Sequence, residues 1–196
     1  MKADVILMAS GASERFGDRN KLTEPIGRVT MFEHTLLLAV LLKMSLPDLV
    51  GQIRVVTCYD EIKNLCDGYE DVEVIYNSDH EEGMAASLRL GVAEADDEDS
   101  YLILPCDLPY LKESSVGEFL TGYRWSGKKC GCMSDGQFMM SPAIFNSSCR
   151  DDLLALQGDV GARKLLSDAA NDCYVYVVKE KKELLDIDRP EQIRAS

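Results

Sequence analysis

A chain of 196 residues, 46% of them hydrophobic, suits one compact domain, or one domain with a small lobe. With 21 Lys and Arg against 34 Asp and Glu, the net charge of −13 argues against nucleic acid or an anionic membrane as the main partner, because both are bound through basic patches. A small anionic ligand stays compatible, since a few local cations and backbone N–H groups outweigh a global charge.

The first predicted element is a buried strand over residues 4–9, with Val5 to Met8 as its apolar run. That run is too short, and too close to Asp4, to be the core of a signal peptide. The longest apolar stretch, Leu36 to Leu42, falls far short of the roughly 20 residues a membrane span needs. A soluble, cytoplasmic protein is therefore expected.

The loop that follows reads Met8-Ala9-Ser10-Gly11-Ala12-Ser13-Glu14-Arg15-Phe16-Gly17-Asp18-Arg19-Asn20-Lys21-Leu22. Its small residues let successive N–H groups approach an anion closely, and Arg15 and Lys21 add full charges. It is not a dinucleotide fingerprint, because Ser13 stands where the second glycine belongs. Nor is it a P-loop, because Asp18 follows the second glycine.

Next come a helix over 30–44, with Phe32, Leu36, Leu37, Val40, Leu41 and Met44 forming its apolar stripe, and a strand over 53–58. His34 falls within the helix and reads as a packed histidine. A short helix over 61–66, a strand over 72–76, a helix over 84–95 and a strand over 101–104 continue the alternation. That last strand ends at Pro105-Cys106-Asp107, and a helix over 114–123 follows. The order implies an α/β fold of three layers with a mostly parallel central sheet. Ligands sit at the carboxyl ends of such strands, which brings the loops after Ala9, Tyr76 and Leu104 to one rim.

Beyond about residue 128 the pattern changes. Segments 129–133 and 137–140 form a two-stranded pair around Ser134-Asp135-Gly136, followed by helical stretches over 142–156 and 162–169, a strand over 173–178 and a short helix after Pro190. No linker separates residues 1–125 from 126–196, so a single domain over 1–196 is expected. Seven scattered cysteines suit reduced thiols rather than a disulfide framework. Cys130 and Cys132 lack the spacing of a zinc site and read as small semi-buried residues, with a redox or metal role as the alternative.

Residues 8–22 resemble the L-A-A-G-x-S-x-R-[MF]-G-x(2,3)-K-L signature of nucleotidyltransferases with a glycosyltransferase-A-like fold, with molybdenum cofactor cytidylyltransferases and related guanylyltransferases as the nearest members. Three further stretches fit in order. Residues 77–89, from Asn77 through Gly83-Met84-Ala85-Ala86-Ser87 to Arg89, are similar to N-P-x-x-x-x-G-M-S-S-S-L-R. Leu104-Pro105-Cys106-Asp107-Leu108-Pro109 resembles a motif whose aspartate binds Mg²⁺. Residues 153–166, with Gly158-Asp159 before Ala162-Arg163, are similar to L-x-x-L-x-G-D-x-G-A-R-x-L-L. Asp186-Ile187-Asp188-Arg189-Pro190-Glu191 resembles a C-terminal D-I-D-T-P-E-D. The family's G-[HN]-P segment has no counterpart near Gln137, a departure in the region that should face the acceptor.

The resemblance implies that Ala9, Ser10, Gly11, Ala12 and Ser13, with Asn77, Gly83, Met84 and Ser87, line the nucleotide site. Arg15 and Lys21 would hold phosphates, and Asp107 would hold Mg²⁺. Asp188 is either a second metal ligand or the N-cap of the last helix. Arg163 is a candidate for the acceptor's phosphate, and Asp159 either faces the acceptor or caps a helix. The implied reaction moves CMP from CTP, preferred over GTP, to the phosphate of a molybdopterin-type acceptor. A molybdenum hydroxylase or its chaperone is the implied downstream partner. A sugar or polyol phosphate acceptor, and a cofactor carrier without catalysis, stand as the other readings.

Overall fold

In a computed structural model of the chain, described over residues 2–17, 19–96, 100–158, 162–168 and 172–194, seven strands form one central sheet. In chain order the elements are β1 (Ala3–Met8), β2 (Pro25–Ile26), β3 (Val29–Thr30), α1 (Met31–Ser45), β4 (Val50–Thr57), α2 (Asp60–Leu65), β5 (Val72–Tyr76) and α3 (Met84–Ala93). They continue with β6 (Ser100–Pro105), α4 (Glu113–Ser126), β7 (Cys130–Ser134), β8 (Met139–Phe145), α5 (Arg150–Leu154), α6 (Arg163–Asp168), β9 (Cys173–Val177) and α7 (Pro190–Arg194). The sheet order is β5-β4-β1-β6-β8-β7-β9, and β2 pairs with β3 in a small separate hairpin.

Strands β5, β4, β1 and β6 run parallel, β8 runs against β6 and β7, and β9 returns parallel to β7. Both faces are covered. Val5 and Leu7 of β1 join α1 and α4 through Phe32, Leu36, Val116 and Phe119, while Ile6 points the other way to Leu88 and Val92 of α3. That alternation is the period of two of a strand buried on both sides. Helix α3 lies so close that a Cβ on Gly91 would stand 2.5 Å from Ile6 Cγ2. At the amino end of the sheet, a buried ion pair between Asp4 and Arg54 joins β1 to β4, and Asp4 Oδ1 accepts from Gln52 N at 2.8 Å. The described residues include no helix long and apolar enough to cross a membrane.

Two expectations are corrected. The stripe of α1 is rotated: Phe32 and Leu36 are buried with Met31, Thr35, Leu38, Ala39 and Leu42, whereas Leu37, Leu41 and Met44 are exposed. The helical stretch expected from residue 142 does not begin there: residues 142–145 are strand, while the expected strand pair is present as β7 and β8. Strand β8 continues through Pro142 to Phe145 and sits between β6 and β7. Register explains how a proline is tolerated there. Cys132 pairs with Ala143 and Met133 with Met140, so Ser141 and Pro142 fall in an irregularity with no residue opposite them on β7, and pairing with β6 begins only at Ala143.

Candidate active site

The parallel strands finish together. Met8 is in register with Pro105 and Val56, and Thr57 with Tyr76, so the loops after β1, β4, β5 and β6 share one rim. The loop after β1 is fastened at its start. Ala9 N and Ser10 Oγ both donate to Val56 O, at 2.9 and 3.0 Å, and Thr57 Oγ1 donates to Ala9 O at 3.0 Å. Tyr59 OH donates to Gly11 O at 2.9 Å. Ser10 is thus turned inward, while Gly11 and Ala12 stay exposed.

Further on, the loop folds back on itself. Ser13 adopts φ 52°, a conformation an L residue enters at a cost, and its Oγ accepts from Lys21 N at 3.2 Å. Gly17 takes φ 68° in open space, where a glycine meets no penalty. Asn20 caps the 3-10 turn Lys21–Thr23 by accepting from Leu22 N at 3.0 Å, and Leu22 is buried beneath it. The backbone of Lys21 is therefore held from both sides.

Its side chain points into a set of charges drawn from three distant parts of the chain. Lys21 Nζ lies 2.7 Å from Asp107 Oδ2 and 3.4 Å from Asp188 Oδ1, and Arg15 Nη1 lies 2.5 Å from Asp188 Oδ2. Asp107 stands at the end of β6, and its carbonyl accepts from Ile187 N at 3.0 Å, which brings Asp188 alongside. Both carboxylate oxygens of Asp188 face cations, while Gln192 Oε1 accepts from the N–H groups of Asp188 and Arg189, at 2.8 and 2.7 Å. The partners of the Asp188 side chain are Arg15 and Lys21.

Burial pulls the Lys21 ammonium down, but the charges and hydrogen bonds of Asp107 and then Asp188 outweigh it and leave its pKa above the ordinary 10.5. The nearby Asp186 carboxyl is pushed up by burial first and then by the charges of Asp188 and Asp107. Burial drives the Cys106 thiol far up, with Asp107 adding to it, so this cysteine is no nucleophile. Two carboxylates that can share one point cation have the donor set magnesium favours, one or two acids plus phosphate oxygens, so Asp107 and Asp188 fit a divalent ion.

The second loop is organised from within. Asn77 and Ser87, both buried, bond to each other through Nδ2 and Oγ at 2.9 Å, and Asn77 Oδ1 accepts from Asp79 N at 3.0 Å. Their side chains shape the turn rather than face the rim. Gly83, at φ 93°, opens α3, and Met84 is exposed beside it. Ala85 N donates to Gly158 O at 3.1 Å, which draws the 153–158 segment to the start of α3. Arg89 locks the same junction by donating to Leu156 O and to Glu82, both at 2.8 Å. A cleft of about 510 Å³ lies there, lined by Glu82, Arg89 and residues 154–158. Asp159 lies outside the described residues, and Arg163 stands exposed at the start of α6.

Sequence reasoning passed over Tyr59, Cys58 and Gln192. A second cleft of about 540 Å³ runs between the first loop and α2, with Ala12, Gly17, Asn20, Cys58 and Tyr59 among its walls. The sequence offers for Tyr59 only its place just past the carboxyl end of β4, with nothing to say which carbonyl its hydroxyl reaches. His34 Nε2 bonds Ile26 O at 2.9 Å, in keeping with a packed histidine. Cys130 and Cys132 are buried in the sheet, and Cys132 Sγ is 3.8 Å from Cys173 Sγ. Among the described residues, no three or more His, Cys, Asp or Glu side chains group as a metal site.

The family profile described as the MobA-like NTP transferase domain matches residues 5–173. No curated protein matches the chain in sequence. Among solved structures, the fold is similar to that of Rv0371c from Mycobacterium tuberculosis H37Rv (TM-score 0.80, 20% identity, covering 100% of this chain and 97% of that one). The same mycobacterial protein has a structure in complex with manganese. It is also similar to 4-diphosphocytidyl-2C-methyl-D-erythritol synthase from Anaerococcus prevotii (TM-score 0.73, 15% identity, 99% and 93% covered). A third is molybdopterin-guanine dinucleotide biosynthesis protein A from Archaeoglobus fulgidus (TM-score 0.67, 17% identity, 98% and 95% covered). At these identities the structural likeness is one of fold.

Proposed function

Because the chain belongs to the MobA-like NTP transferase family, and is a nucleotidyltransferase on that ground, we propose that it moves CMP from CTP to the terminal phosphate of a molybdopterin-type acceptor. The observation that carries this reading is the convergence of Arg15, Lys21, Asp107 and Asp188 beside the loop that follows β1. A phosphate oxygen of the acceptor attacks the α-phosphorus of the triphosphate. The bond from that phosphorus to the bridging oxygen breaks, and pyrophosphate leaves with the electron pair.

A phosphate monoester is already largely dianionic near neutral pH, its second pKa being about 6, so no side chain has to remove a proton. What the chain supplies is position and charge. Backbone groups of residues 10–13 cradle phosphates, Ala9 being held in the sheet by Val56 and Thr57, and Arg15 and Lys21 neutralise them. Gly83 and Met84 border the base and ribose, in a turn that Asn77 and Ser87 hold in shape. Arg163 faces the acceptor. A divalent cation, Mg²⁺ in this reading, would be held by Asp107 and Asp188 and would neutralise charge building on the leaving pyrophosphate. The product would pass to a molybdenum hydroxylase or its chaperone.

A sugar or polyol phosphate is the second acceptor reading. It is favoured by the β7–β8 turn, which lacks the family's proline, and by the fold shared with the erythritol cytidylyl synthase. Pyrophosphate release separates the two. The protein is incubated with Mg²⁺, CTP and either molybdopterin or a polyol phosphate, and release with the pterin alone is the expected result. Release with the polyol phosphate alone would replace the acceptor. Lys21→Ala and Asp107→Ala are each expected to slow release by about 10²–10³-fold, the cost of losing one stabilising contact to developing charge. Undiminished rates in both would overturn the site.

A further inference from the structure

We propose that Lys21, beyond holding phosphate, keeps divalent metal off the Asp107–Asp188 pair until a triphosphate draws its ammonium away. The inference rests on the reading of these two acids as the metal's ligands. Lys21 Nζ bridges them, at 2.7 and 3.4 Å, and therefore stands where a shared metal ion would stand. Arg15 holds the second oxygen of Asp188. Asp107 Oδ2 and both carboxylate oxygens of Asp188 thus already face a cation, with Asp186 as a further acid nearby.

A divalent ion arriving alone meets neutralised ligands. It must displace an ammonium that stays nearby, because the Lys21 backbone is pinned by Ser13 Oγ at its N–H and by Glu24 N at its carbonyl, above the buried Leu22. The two positive charges would then repel at short range in a partly buried site, where screening is weak. The Lys21 side chain is 15% exposed and that of Asp107 25% exposed. A triphosphate changes the exchange. It offers oxygens to Lys21 and Arg15, the carboxylates are released, and the metal takes both them and the phosphates. Only the flexible four-carbon stem of Lys21 has to move, so the gate is a side-chain swing on a fixed backbone.

The test uses Mn²⁺ as probe without nucleotide or acceptor, with free Mn²⁺ read by electron paramagnetic resonance. Lys21→Met and Lys21→Gln should each bind Mn²⁺ at least about tenfold more tightly than the unaltered protein, the minimum for removing a unit charge in hydrogen-bond contact with both ligands. Lys21→Arg keeps a cation there and should stay weak. Arg19→Met removes the same charge from the loop, where Arg19 pairs with Glu24, and should leave Mn²⁺ affinity unchanged. Equal affinity in the unaltered protein and Lys21→Met overturns the proposal. So does an Arg19→Met gain as large as that of Lys21→Met, which would reduce the effect to net charge. Because no turnover is measured, pyrophosphate release can succeed where this fails. Absence of Mn²⁺ binding in every variant overturns both the gate and the metal assignment.

Discussion

At the scale of single residues, the site separates side chains that join the charge cluster from those that hold the loop. Tyr59 belongs to the second kind, since its hydroxyl fixes the carbonyl of Gly11. Burial, and then the neighbouring Cys58, push its phenol up to about 12 from an ordinary 10. A raised acid is more readily protonated in the folded state, so its contribution to stability is complete below the unfolded value of 10 and is lost as pH climbs through about 12. The stability gap between the unaltered protein and Tyr59→Phe, read from urea midpoints, should therefore be constant below pH 10 and narrow above it. A gap that widens there contradicts the assignment. Lys21, Arg15 and Asp107 were legible in sequence because their spacing inside motifs carries their chemistry. Tyr59 and Gln192 were not, because a hydroxyl reaching a carbonyl 48 residues away is a matter of strand register, which no local pattern records. Asp188 fell between, since an acid ahead of a proline reads equally as a cap and as a ligand until Gln192 is seen to take the N–H groups.

Elements were legible where one period dominated. Strand β5 was found with both its ends, and α3, α4 and β6 within a few residues, because their apolar spacing and punctuation agree. Helix α1 was found but turned, because leucines at 36, 37, 38, 41 and 42 offer two stripes and only packing chooses between them. Strand β8 was found at its start but cut short at its proline, which reads as a helix start unless a register irregularity is known to absorb it. The start of α1 carries a reciprocal cap: Thr30 Oγ1 accepts from Glu33 N at 3.3 Å, and Glu33 Oε2 accepts from Thr30 N at 2.7 Å. Thr30→Ala is expected to cost about 1 kcal/mol in urea denaturation, with pyrophosphate release unchanged because the cap lies outside the charge cluster. A loss below about 0.3 kcal/mol would show that tertiary packing alone holds the helix.

The whole molecule divides its work between the two ends of one sheet. The amino ends are locked by Asp4 and Arg54, and the carboxyl ends carry the loops. A ligand held by several of those loops at once stabilises the fold by mass action. With Mg²⁺ present, CTP at a hundredfold excess over its dissociation constant should add about 2.7 kcal/mol and raise the melting temperature by roughly 5–10 °C. CTP without metal should give a smaller rise in differential scanning fluorimetry, and an equal rise would argue against Asp107 and Asp188 as metal ligands. The segment after β9 starts at the sheet's outer edge and returns past β7 and β8 to the end of β6, where Ile187 meets Asp107. That return sets a timetable for synthesis. The parallel strands and the first loop leave the ribosome early and can pair as they emerge, yet one of the four charges of the cluster is delivered only at residue 188. A product released before residue 188 would keep most of the sheet and lack that charge, so synthesis past that residue becomes a condition for a complete cluster.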